Sequence, residues 1–151
     1  YIVPAFSGLG APHWDMNRKA SIEGLSFDST KKHIIRAAVE SVPYQIKDVI
    51  VAMEADSGTP LTELKIDGGI TSNKFVVQFL ADLLDRIVTN IELTDVSALG
   101  AGYLAGLNAK IYRNIDQLKT FNQSSTSTLA RADFAKVKVY YEGWKNAIQK
   151  N

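Results

Sequence analysis

Two periods organise the apolar positions of this chain. From Lys31 to Asp56, the residues Ile35, Val39, Val42, Ile46, Val49 and Met53 recur every three or four positions, the spacing of one buried helix face. Ser29 or Thr30 can cap that helix, and the Ser57–Pro60 turn ends it. Pro43 interrupts the run. It lacks a backbone donor and crowds the preceding turn, at about 3 kcal/mol in a helix interior. The spacing therefore predicts a kink near Val42 or two helices end to end. A second helix is predicted over Asn73–Asp85, with Phe75, Val76, Phe79, Leu80 and Leu83 on one broad face. A third, "TDVSALGAGYLAGLNAKI", starts with capping residues and carries Gly100, Ala101, Gly102, Ala105 and Gly106. Those small residues predict close approach to a neighbouring backbone. The last helix repeats Phe134, Val137, Tyr141, Trp144 and Ile148, after a polar stretch, "FNQSSTST". Between the helices, "YIVPAF", "ASIEGLSF", "LTELKID" and "RIVTNI" are predicted strands. This alternation argues for an α/β layer structure with a partial sheet of three or four strands.

Composition narrows the function more than the fold. The chain of 151 residues is long enough for one domain with a real core. Its formal charge of +1 gives no electrostatic reason to expect nucleic acid. No apolar run has bilayer-spanning length, so no membrane partner is expected. Cysteine is absent, which removes disulfides, zinc–cysteine sites and thiol catalysis, and is compatible with cytoplasmic residence. Tyr1 begins inside an apolar, strand-like run without an initiator methionine. The chain therefore reads as part of a longer protein with a missing N-terminal portion. A homo-oligomer is left open.

The candidate chemistry lies in "IDGGITSNKF", Ile66 to Phe75. In open α/β sheets, ligands sit where strands exit into helices. Glycine at such an exit lets the backbone approach a flat or anionic ligand. Ser72 or Thr71 can cap the helix, whose free amides favour a polar or anionic neighbour. Asn73 offers a donor and an acceptor suited to an adenine or ribose edge. The stretch is neither a P-loop nor a G-x-G-x-x-G fingerprint. A plain strand-to-helix turn with a solvated asparagine remains the alternative. Elsewhere, His13 and His33 are far apart and form no metal-ligand pattern. Glu40 and Asp48 read as solvated helix acids. Trp14 reads as an anchor of its glycine-rich loop against the core, ahead of ligand stacking.

Four ordered blocks then carry a resemblance. "VPAFSGLGAPHWD", "GLSFDSTKKHIIRAAVES", "ADSGTPLTELKIDGGITSNKFVVQFLADLLD" and "SALGAGYLAGL" resemble the C-terminal part of the FGGY carbohydrate kinases from Tyr1 to about Leu107. "YYEGWKNAI" near the end fits too. Within that family the "GLGAPHWD" block favours the members acting on glycerol over those acting on sugars. The resemblance implies a two-domain kinase of the actin-like ATPase superfamily, with residues 1–151 a portion of its C-terminal nucleotide-binding domain. The fold implied is a partial, ribonuclease-H-like α/β layer with a truncated sheet and flanking helices. The reaction implied is transfer of the ATP γ-phosphoryl group, with Mg2+, to a terminal hydroxyl of glycerol. By position, Gly69 and Asn73 would contact the adenosine part of ATP, and Gly68 would shape the turn. The family's catalytic aspartate and phosphate loops lie upstream of Tyr1, so neither Asp15 nor Asp67 is assigned as a base. No catalytic residue and no metal ligand is assigned in this chain. Pro43 departs from the family pattern, where a small residue is more usual. The alternatives are another sugar or polyol kinase of the family, for example xylulokinase-like, and a non-catalytic interaction module on the same fold.

Overall fold

The computed structural model describes residues 1–91, 95–121 and 125–150. Two short strands, β1 (Ile2–Val3) and β2 (Ser21–Ile22), pair antiparallel at the start. Between them the glycine-rich loop folds back on itself. Leu9 N donates to Asp15 O (2.7 Å), and the Asp15 carboxylate accepts from the backbone N–H of Asn17 and Arg18. Gly8 is required there. Its φ is +86°, and an added Cβ would meet Met16 Cα at 2.7 Å. Trp14 does not anchor this loop as its size suggested; it is 73% exposed. Leu9 is buried in its place.

Helix α1 (Lys31–Ser57) runs through Pro43 as one element, rather than as two helices end to end. The Pro43 ring is fully buried, so packing offsets the missing donor. Thr30 is the N-cap, its backbone N–H donating to His33 Nδ1 (3.1 Å), and Gly58 closes the helix in the left-handed region. The buried face also differs from the periodicity. Ser41, Pro43, Tyr44 and Asp48 are inside, whereas Ile35 and Met53 are exposed. The face is set by what α1 meets, an aromatic cluster from other elements, rather than by its aliphatic repeat.

Strand β3 (Glu63–Ile66), helix α2 (Lys74–Leu84) and strand β4 (Ile87–Ile91) form a parallel βαβ unit, with Ile66 opposite Asn90. Helix α3 (Val96–Asn108), the short α4 (Ile115–Lys119), strand β5 (Ser125–Thr128) and helix α5 (Phe134–Gln149) follow. β5 pairs antiparallel with β4, giving the sheet order β3-β4-β5. Hydropathy did not foresee β5, whose side chains are all hydroxyls, nor α4. Residues 122–124 of the polar stretch and Thr94 of the third-helix stretch lie outside the described residues.

Two cores hold these elements. One gathers Val3, Leu9, Tyr44, Phe79, Leu83, Val137 and Trp144, with the Tyr44 and Trp144 rings stacked at 5.3 Å. The other packs Val77, Leu80 and Ala81 of α2 onto Val88, with Leu64 and Ile66 beside them. The small residues of α3 do not make the close approach they predicted. Nothing lies within 4 Å of a Cβ at Gly100 or Gly102, and only Gly106 is tightly met, by the Tyr112 ring.

Candidate functional site

β3 ends at Ile66, and the chain turns through Asp67-Gly68-Gly69 into a single 3-10 turn, Gly69–Ser72, before α2. Gly68 has φ 109° and ψ 164°, a conformation that disfavours every residue with a Cβ. The turn is tied from within. Thr71 donates to Gly68 O through both its N–H (3.0 Å) and its Oγ1 (2.7 Å), and Ser72 Oγ donates to Gly69 O (2.8 Å). Those two hydroxyls are thereby engaged backwards. The cap of α2 is Asn73, whose Oδ1 accepts from Phe75 N at 3.1 Å.

β4 leaves the sheet alongside β3, and α3 begins beyond it with Asp95 as its cap. Between the two exits lies a cleft of about 480 Å³. Asp67, Gly68 and Gly69 form one wall, Asn90 and Ile91 line the middle, and Asp95 to Ser97 form the other wall. A second cavity of about 550 Å³ continues between α2 and β5, and shares Thr71, Ser72 and Asn90 with the first. Both volumes are in the range of small-ligand sites. No heavy atom lies within 4 Å of a Cβ built on Gly69. That position opens onto free space, and its φ does not itself demand glycine. The N-terminal end of α3 borders the first cleft and that of α2 the second. Each supplies free amides and the positive end of a helix dipole.

The residues singled out from sequence divide on this frame. Gly69 and Gly68 line the cleft, and Asn73 caps α2 one turn onward without lining either cavity. At Gly69 bare backbone faces open space, and the helix ends beside the cavities supply amide donors. Magnesium is different. Among the described residues no group of three or more histidine, aspartate or glutamate side chains comes together to hold a metal ion.

Asp48 is the largest correction. It is buried, not solvated, and accepts from Tyr141 Oη (2.5 Å), Trp144 Nε1 (2.8 Å) and His13 Nε2 (2.9 Å). One carboxylate thus ties α1, α5 and the glycine-rich loop together. A signal for it was present: the apolar face of α5 carries a hydroxyl and an indole N–H, and buried donors need an acceptor. Glu40 is half-buried and pairs with Arg36. His33 belongs to the α1 cap.

Comparison with known proteins fits this architecture. The model of the C-terminal domain of the FGGY family of carbohydrate kinases matches residues 1–109. The chain belongs to that family. The glycerol kinase of Vibrio vulnificus is 45% identical over 149 residues, and that of Haemophilus influenzae 43% identical over 151. These alignments cover 99% and 100% of the chain, and it spans about 30% of the length of each relative. Among solved structures, Plasmodium falciparum glycerol kinase with ADP superposes with a TM-score of 0.84 at 35% identity. It covers 98% of this chain and 30% of its own. A ligand-bound xylulose kinase from Lactobacillus acidophilus, at 21% identity and a TM-score of 0.75 over 97% of this chain and 30% of its own, shares the fold. The three-stranded sheet with its helices is thus a part of the actin-like ATPase fold of FGGY kinases. No helix among the described residues is long and apolar enough to cross a membrane.

Proposed function

We propose that residues 1–151 are a nucleotide-holding portion of the C-terminal domain of a glycerol kinase. The whole protein would transfer the ATP γ-phosphoryl group to a terminal hydroxyl of glycerol, giving glycerol 3-phosphate. The observation that carries this reading is the uneven identity. Glycerol kinases match nearly the whole chain at 35–45%, whereas the xylulose kinase structure matches at 21%.

In this reading the cleft at the ends of β3 and β4 receives the adenosine part of ATP. Gly69 offers bare backbone to it. Asn73, whose Oδ1 is engaged in the cap, has its amide N–H2 group left to donate. Magnesium, when bound, would neutralise phosphate charge; among the described residues no cluster of three or more acidic or histidine side chains is assembled for it. The transfer also needs a base and an oriented hydroxyl, and no acid of this chain is placed in either role. The isolated chain is accordingly predicted to show no turnover. Cytoplasmic residence is part of the same proposal.

The test is product analysis with the purified full-length protein, ATP, Mg2+ and either glycerol or xylulose. Glycerol 3-phosphate as the preferred product supports the proposal. Preferential phosphorylation of the pentulose contradicts it, and no ATP consumption with either points to a non-catalytic module.

A further inference from the structure

Asn90 breaks the pattern of its strand. On β4, Thr89 points to one face of the sheet, bonding Glu63 Oε1 (2.6 Å) and Ser127 Oγ (3.1 Å). Alternation then places Val88 and Asn90 on the other face, toward α2. Val88 is fully buried there against α2 with Leu64 and Ile66 nearby. The next residue on that face is an amide where packing alone would favour an apolar side chain. Its Oδ1 is buried and has no hydrogen-bond partner, alone in this respect among the described side chains. A native chain rarely leaves a buried acceptor unmade, and rules broken locally tend to mark functional positions. Asn90 lines both cavities.

We infer that Asn90 reads the purine edge of the bound nucleotide and makes the cleft selective for adenine. This rests on the nucleotide reading above and goes beyond it by naming a residue that selects the base. An asparagine amide matches adenine with two bonds, its oxygen accepting from the exocyclic amino group and its nitrogen donating to a ring nitrogen. The terminal amide torsion is soft, so a modest rotation brings Oδ1 from its buried position to the ligand. The pairing is with the amino group and N7; a purine carrying a carbonyl in place of the amino group presents two acceptors on that edge, which no rotation of the amide can match.

The experiment is titration calorimetry of the full-length protein with ADP and with inosine diphosphate, which differ at that group. Wild type is expected to bind ADP about tenfold more tightly. In Asn90→Leu and Asn90→Ala the ratio should fall to within about twofold of unity, chiefly through weaker ADP binding. The ratio is internal to each variant, so a change in folded fraction does not mimic the effect. A ratio that persists in both variants, or a wild type that favours the inosine nucleotide or neither, overturns the inference alone. A wild type that binds no purine nucleotide overturns the nucleotide reading with it.

Discussion

Asp48 accepts from side chains of three separate parts of the chain, so its removal acts in three places. Asp48→Ala would leave the Tyr141 hydroxyl and the Trp144 indole N–H buried without an acceptor. It should lower unfolding free energy by about 3 kcal/mol, read by urea denaturation. Asp48→Asn keeps one good acceptor and should cost clearly less; a negligible loss in Asp48→Ala would mean the carboxylate is not the organising group. At the same scale the two glycines of the strand exit separate by conformation. Gly68→Ala meets no neighbour but must hold φ near +109°, so it should destabilise by about 1–3 kcal/mol. Gly69→Ala carries no such strain. Residue type alone does not separate these glycines, because φ is set by the turn that follows; the family resemblance assigned the turn to Gly68, and its φ of 109° agrees. From sequence, Asn73 reads as a ligand group with Ser72 or Thr71 as the cap; in the structure Asn73 is itself the cap, because both hydroxyls turn back onto the carbonyls of Gly68 and Gly69.

Among the elements, α2 and α5 were legible because most of their apolar residues do face the core: Val76, Phe79, Leu80 and Leu83, and Val137, Tyr141, Trp144 and Ile148 are buried. The extent of α1 was legible but its inward face was not, since that face carries Ser41, Tyr44 and Asp48, and partners distant in sequence decide it. β5 escaped because a strand of Ser and Thr has no hydropathy alternation; the edge of β4 recruits it through backbone pairing. Pro43 tests how much packing a helix needs to tolerate a missing donor. Pro43→Ala restores an N–H and helix propensity worth about 3 kcal/mol, and loses part of a buried ring worth about 1–2 kcal/mol. A net gain of about 1 kcal/mol is expected in the melting or urea midpoint. A loss would show that the ring's packing outweighs the backbone defect.

Across the whole molecule, the aromatic core sets the alkaline limit. Burial raises the phenol pKa of Tyr44 and of Tyr141 above the ordinary 10.0, and the hydrogen bond to Asp48 raises Tyr141 further. The unfolded chain loses these protons first, so the stability they contribute is whole below pH 10 and is lost as pH rises beyond it. Lys47 acts oppositely, because burial and then Lys145 lower its pKa, but only up to its ordinary 10.5. Stability should therefore fall between about pH 10.5 and 12, with tyrosinate absorbance from these two rings appearing only on unfolding. Early, fully reversible ionisation of all six tyrosines would contradict the packing.

The central claim is that the glycine-lined cleft at the ends of β3 and β4 holds the nucleotide. Gly69 opens onto that cleft with room for a Cβ and no conformational demand for glycine, so Gly69→Ala separates binding from folding. Calorimetric titration of ADP into the full-length Gly69→Ala protein should show affinity reduced about tenfold at an unchanged melting temperature. Wild-type affinity in that variant would contradict the account.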